Sequence, residues 1–184
     1  MTEGKERASR PKLGPQDWIQ TALDGIVEEG PTAFRVTRLA RRLGVTPASF
    51  YWHFEDRDEL RDRVLRHWTE QMLRPAAASA RTTSPGNLRG LVRVLEKRGL
   101  PRVDAAMRSW AVEDPIVAEA VTRADLLRHR VVTRAFESEG TDTERAERRA
   151  DVLMWAFRGS DGVPADRRGR SLRELLDALL HDAD

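Results

Sequence analysis

Apolar residues recur at helical spacing from one end of this chain to the other, and the pattern predicts an all-α protein of about nine helices. Trp18, Ala22 and Ile26 form one i, i+4 row and Ile19, Leu23 and Val27 the next, so a first helix runs over Pro15–Glu29 and stops at Gly30-Pro31. Val36, Leu39, Ala40 and Leu43 put one apolar side on a short second helix over 36–43, and Gly44 ends it. Thr46-Pro47 restarts a helix at once, with a hydroxyl to cap free amides and proline at the first helical position. On this third helix, 47–53, Phe50 and Phe54 are the buried anchors, and Pro47, Ala48, Ser49, Tyr51, Trp52 and His53 are left to face outward. Helix, tight turn, helix is the geometry that places its second helix in a DNA major groove.

A fourth helix opens at Asp56-x-x-Glu59, a capping box with Asp in place of Ser or Thr. Its apolar stripe of Leu60, Val64, Leu65, Trp68, Met72 and Leu73 carries it to about Ala80, long enough to connect two units. Arg81–Gly86 reads as a linker. Helices follow over Pro85–Arg98 and about 102–112, and a long one starts at Asp114-Pro115 on the stripe Val117, Val121, Ala124, Leu127, Val131 and Ala135. The eighth begins near Thr141-x-x-Glu144 and is apolar nearly all round at Val152–Phe157; after a turn-rich stretch, Ser171-x-x-Glu174 caps the ninth. These last two helices carry more apolar surface than one subunit covers. The expectation is a four-helix bundle across a two-fold axis, with Leu153, Phe157, Leu172, Leu175, Leu176 and Leu179 at the dimer interface. The alternative is that both pack on the long helix of the same subunit.

Charge sharpens the front of the chain. Between Gly30 and Phe54 stand Arg35, Arg38, Arg41 and Arg42 with no acidic residue, whereas residues 86–184 hold 18 basic and 18 acidic groups. The formal charge of +2 therefore reflects a local cationic face, on which Arg41 and Arg42 either meet phosphate or are merely solvated. There is no cysteine, which excludes disulfides and thiol chemistry, and the four histidines lack metal-type spacing. No nucleophile motif or phosphate loop is present; Asp125, Arg128 and His129 cluster on the long helix but read as a surface ion-pair group, so no enzyme is expected. No apolar run reaches membrane-spanning length and residues 1–13 are polar, so a cytoplasmic protein is expected, its N-terminal arm either a solubilising tail or a minor-groove contact.

The run LARRLGVTPASFYWHF followed by DRDEL resembles the signature of the TetR family of bacterial transcriptional regulators, in particular its tetracycline-repressor type. The likeness spans roughly Trp18 to Leu65, about a quarter of the chain; beyond residue 80 it is one of helical layout only. It implies DNA contacts from Arg35, Thr37, Thr46, Pro47, Ala48, Ser49, Tyr51, Trp52, His53 and Arg57. Tyr51 and His53 would each donate to a phosphate unless buried within the small unit, Ser49 would meet a base edge or a phosphate, and Arg57 stands where the family places a phosphate-binding cation. Arg35 departs from the family, which usually has a capping Ser or Thr there; a guanidinium cannot accept amide hydrogens.

The expected organisation is an arm over 1–13, a helix-turn-helix domain over 14–60 and a ligand-binding and dimerisation domain over 61–184. The expected function is a homodimeric repressor, released from a palindromic operator on double-stranded DNA by a small apolar or amphipathic effector, with no cofactor. Trp68, Met72, Met107, Trp110, Met154 and Trp155 are the pocket candidates, or else ordinary core. The alternative is a helical dimer that uses the front unit for protein contacts or for DNA binding without sequence preference.

Overall fold

The computed structural model describes residues 13–79 and 87–181, and within these it is all helical: eight α-helices, three short 3-10 segments and no strand. The expected linker Arg81–Gly86 and all but the last residue of the N-terminal arm lie outside the described residues. Helix α1 (Pro15–Glu29) buries Trp18, Ile19, Ala22, Leu23 and Ile26, the two rows predicted except for Val27, which is half-buried. A 3-10 turn (Pro31–Ala33) leads to α2 (Val36–Leu43), which ends in a Schellman-type closure: Gly44 sits at φ 69°, and Val45 N–H donates to the Ala40 carbonyl at 3.0 Å.

The third predicted helix is instead a 3-10 run, Pro47–Trp52. Six residues pinned between a left-handed glycine and two buried phenylalanines have no room to relax into α geometry, and three residues per turn suits so short a piece. Thr46 does not cap it either; its hydroxyl lies 3.2 Å from that of Ser49. Helix α3 (Arg57–Ser79) follows; Asp56 caps it as predicted, accepting from the Glu59 amide at 2.8 Å, but Glu59 reaches back one residue further than a capping box requires and accepts from the Glu55 amide at 2.6 Å.

Five further helices complete the chain: α4 (Asn87–Lys97), α5 (Leu100–Ala111), α6 (Pro115–Ser138), α7 (Thr143–Gly159) and α8 (Ala165–His181). Asp114 caps α6 through the Ile116 and Val117 amides, as expected, whereas α7 is capped by Asp142 rather than Thr141. Helix α8 begins six residues ahead of the predicted Ser171 cap. Pro164 supplies its first carbonyl acceptor, and Arg168 ties the carbonyls of Asp161 and Val163 (3.1 and 3.0 Å); Ser171 bonds back to the Arg167 carbonyl from inside the helix.

Two apolar cores hold these elements together. The first joins Trp18, Phe50, Phe54 and Trp68 to Met107, Trp110 and Val117, so the front unit leans on α5 and α6 as a unit of its size must. Phe34 and Trp110 meet there with ring centroids 4.5 Å apart. The second core lies among α4, α6, α7 and α8 around Leu88, Phe136, Leu153 and Leu176.

That second core corrects the expected dimer face. Leu153, Phe157, Leu172 and Leu176 are buried within their own subunit, because α7 and α8 spend their broadest stripes on α4 and α6. Leu175 and Leu179 remain half-buried, beside the half-buried Val152 and Ala156 and the exposed Trp155 on α7. The stripe of α6 is corrected as well: after Ala124 the buried row runs through Arg128, Val132 and Phe136, and Leu127 is exposed.

Candidate nucleic-acid interface and the cavity behind it

The outward-facing element is built from the inside. Phe50 stacks on Phe54 (centroids 5.1 Å) and meets the Trp18 edge at 5.4 Å, fully buried, so the short 3-10 run is fixed to α1 by aromatic contact rather than by length. On the other side of the run Tyr51 is 66% and Trp52 86% exposed. Pro47 and Ala48 are exposed, and Ser49 and His53 half-buried. Thr37, Thr46, Arg35 and Arg57 are exposed too, the Arg57 guanidinium lying 5.7 Å from the Phe34 ring centre. The structure thus leaves all ten sequence-selected residues at least partly accessible around one turn.

The arginine face is less cationic than its sequence. Arg42 bonds to Glu28 and Glu29 (2.5 and 2.6 Å) and Arg38 to Glu29 (3.2 Å), both acids coming from the end of α1. The Glu28 hydrogen bond, against a small burial penalty, holds the Arg42 guanidinium above its ordinary value. Arg35 and Arg41 make no ion pair among the described residues and keep their charge for a partner. Arg35 also leaves α2 without a side-chain cap, as its chemistry requires.

Behind this surface α3 leads to a small apolar cavity of about 40 Å³. Met72 of α3, Leu91 of α4, Val132 of α6 and Met154 of α7 are among its walls. Of the six residues proposed for a pocket, only Met72 and Met154 lie on it. Trp68, Met107 and Trp110 are buried in the first core, and Trp155 is 64% exposed to solvent, because α7 turns that side away from both cores.

One wall residue was missed. Arg128, 7% exposed, lies on the cavity with its guanidinium 5.5 Å from the Trp68 ring centre. It belongs to a buried network in which Asp104 (1% exposed) faces both Arg108 and Arg128 at 2.8 Å, and Asp125 faces Arg108 at 2.7 Å and Arg158 at 2.9 Å. Burial works to raise the Asp125 carboxyl, but the Arg108 hydrogen bonds and the charges of Arg128 and Arg158 outweigh it and hold it below the ordinary carboxylate range. The cluster of Asp125, Arg128 and His129 is therefore not a surface group: Arg128 is buried and Asp125 half-buried, 3.4 Å apart, and His129 pairs separately with Asp151 at 3.1 Å. The signal was an arginine at i+4 from Ala124 and i−4 from Val132, inside the buried stripe.

At a second joint, Arg61, 7% exposed in the first turns of α3, faces Asp58 at 3.0 Å and the α6 cap Asp114 at 3.7 Å. Among the described residues no group of acidic or histidine side chains is arranged to hold a metal, and no helix is long and apolar enough to cross a membrane.

The family model "Bacterial regulatory proteins, tetR family" matches residues 19–64, from the middle of α1 through the exposed turn into α3. This segment belongs to the TetR family. The whole chain has the fold of solved TetR-type regulators. A transcriptional regulator from Rhodococcus sp. Rha1 superposes with a TM-score of 0.73 at 23% identity, over 91% of this chain and 94% of that one. A TetR transcriptional regulator from Legionella pneumophila gives 0.73 at 14% identity, over 94% and 96%. A transcriptional regulator from Saccharomonospora viridis, solved in complex with choline, gives 0.68 at 16% identity, over 91% and 96%. No curated protein is significantly similar in sequence. The TetR segment makes the front of the molecule a DNA-binding regulator module, and the segment's exposed large apolar residues are Tyr51 and Trp52.

Proposed function

We propose that the chain is a homodimeric repressor whose TetR segment reads one half of a palindromic operator and whose C-terminal helices hold a small effector that releases it. The observation that carries this reading is the pair Tyr51 and Trp52, held outward on a turn whose Phe50 is wholly buried. An indole 86% exposed next in sequence to a phenol 66% exposed offers aromatic surface of the kind that marks an interaction site. Arg35, Thr37, Ser49, His53 and Arg57 surround them with hydrogen-bond donors suited to phosphate and base edges.

Residues 14–60 would form the reading unit and 61–184 the effector and dimer unit. In the dimer, two reading turns would sit about 34–36 Å apart. The face we assign to the two-fold contact is Val152, Trp155 and Ala156 on α7 with Leu175 and Leu179 on α8, the apolar residues that neither core covers fully. Because the cavity is tight, an effector must widen it. Met72 would then move with α3, whose first residue, Arg57, lies about 22 Å away along the helix. Complete release requires the effector to favour the widened form by roughly 5.5 kcal/mol.

A mobility-shift titration against the protein's own upstream DNA tests the reading. Trp52→Ala and Tyr51→Ala should each weaken binding by about tenfold or more; Trp52→Ala should leave thermal stability within about 0.5 kcal/mol of the parent, whereas Tyr51→Ala also loses its edge contact with Phe50 and should cost about 0.5–1.5 kcal/mol. Equal affinity for scrambled DNA points to the alternative of non-specific binding. Trp155→Glu should give a monomer by sedimentation; an unchanged dimer moves the interface elsewhere.

A further inference from the structure

We infer that the cavity is an anion receptor: its ligand is a small monoanion with an apolar body, such as an aliphatic carboxylate, whose charged end is taken by Arg128. This rests on the effector reading and gives the effector's chemical class. Ten of the eleven residues lining the cavity are apolar, and Arg128 is the one charged group among them. Arg128 is ion-paired with Asp104 at 2.8 Å and with Asp125 at 3.4 Å, yet none of its buried Nε, Nη1 and Nη2 atoms makes a well-aligned hydrogen bond. A buried guanidinium whose ion pairs leave its N–H directions unfilled can take a further acceptor.

Charge points the same way. Three arginines, Arg108, Arg128 and Arg158, face two aspartates, Asp104 and Asp125, so the network holds one more cation than anion; Arg158 is open to solvent, whereas Arg128 is the least exposed of the three and the one on the cavity wall. A single carboxylate balances that excess and can accept two parallel N–H bonds from the planar guanidinium. A cation such as choline meets the wrong sign here, and Phe157 is the one aromatic ring on the wall, too few to cage a quaternary ammonium. The walls of Leu91, Val92, Val131 and Leu172 receive the hydrocarbon. They come from α4, α6 and α8, so a chain longer than the empty space spreads three helices as it enters.

The test is titration calorimetry of the full chain with butanoate, octanoate and dodecanoate, each beside its neutral amide, and with choline. At least one carboxylate should bind saturably and at least about tenfold more tightly than its amide, in a manner insensitive to added salt because the site is buried. Choline should not bind. Arg128→Met should erase the preference for carboxylate over amide, and Arg128→Lys should keep part of it. The amide comparison uses the parent protein and holds even if a variant misfolds. Four results overturn the inference: no saturable carboxylate binding up to about 10 mM, an amide that binds as well as its acid, an unaltered preference in Arg128→Met, or binding abolished by salt, which would place the anion on the exposed basic groove of Arg93, Lys97 and Arg170. Mobility shift separates this from the effector reading. Carboxylate that binds without releasing DNA leaves the receptor standing and removes the effector role, whereas release by a neutral or cationic compound does the reverse.

Discussion

At the front of the molecule an indole, Trp52, stands 86% exposed, and at the back a guanidinium, Arg128, is 7% exposed. Each inverts the usual partition of apolar groups inside and charges outside. The inversions are maintained differently. Trp52 is held out by what lies under it, a packed aromatic cluster on a segment of six residues, whereas Arg128 is held in by the acids Asp104 of α5 and Asp125 of α6. The front should therefore fail when its packing is cut and the back when its charge balance is cut.

The sharpest way to break the front is Phe50→Ala. Removing a wholly buried ring that Trp18, Tyr51 and Phe54 all touch should cost about 3–5 kcal/mol in denaturant unfolding, and DNA binding should be lost with the turn's position. A loss under about 1 kcal/mol would mean that the turn is held by its backbone closure instead. The matching cut at the back is Asp104→Asn, which conserves shape and removes the acid between Arg108 and Arg128. It should cost about 3 kcal/mol, since breaking a buried pair leaves cations uncompensated. If Arg128→Met suppresses that penalty in the double variant, the cost belongs to the stranded guanidinium; if not, it belongs to Arg108.

The same contrast explains what the sequence made visible. Front-unit bounds follow from local chemistry: Pro15, Gly30-Pro31, Gly44 and Pro47 punctuate the chain where the helices start and stop, and the row of Phe50 and Phe54 leaves only one side free for Tyr51 and Trp52. Nothing local distinguishes a 3-10 turn from an α-helix over six residues, because that choice depends on the packing beneath. Farther along, a search for apolar positions chose Leu127 and Val131 for the α6 stripe and stepped past Arg128, although the buried row passes through it. An arginine looks like surface until the acids that neutralise it are brought beside it, and Asp104 comes from another helix. Leu153 and Leu172 looked like an interface for the converse reason: their cover, α4, is a helix whose own stripe Gly90 interrupts.

A smaller effect probes the joint between α2 and the exposed turn. Gly44 holds φ at 69°, and a Cβ placed there would meet no atom within 4 Å, so Gly44→Ala isolates the conformational cost. About 1–2 kcal/mol is expected by thermal unfolding. Gly44→Asn should recover part of it, since Asn tolerates the left-handed region. Equal penalties would mean that the turn shifts rather than strains.

The smallest expected effect concerns acid. The Glu59 carboxyl accepts from the Glu55 amide and from Arg63, and these bonds, the amide first, hold it below the ordinary carboxylate range against a small burial penalty. Because its folded value is depressed, its contribution is complete above the unfolded pKa of about 4.3 and is lost as pH falls through the folded value. Glu59→Gln keeps an acceptor without the charge, so its melting temperature should fall less steeply than the parent's on the acid side, and the two should converge at the lowest pH. Added salt should shrink the difference, since Glu59 and Arg63 are both solvent-accessible. The Asp104 and Arg128 pair at the back, closed to solvent, should ignore the same salt. A capping carboxylate as salt-resistant as that buried pair would mean that the start of α3 is more enclosed than its exposed surface shows, and the contrast between the two ends of the molecule would lose its electrostatic half.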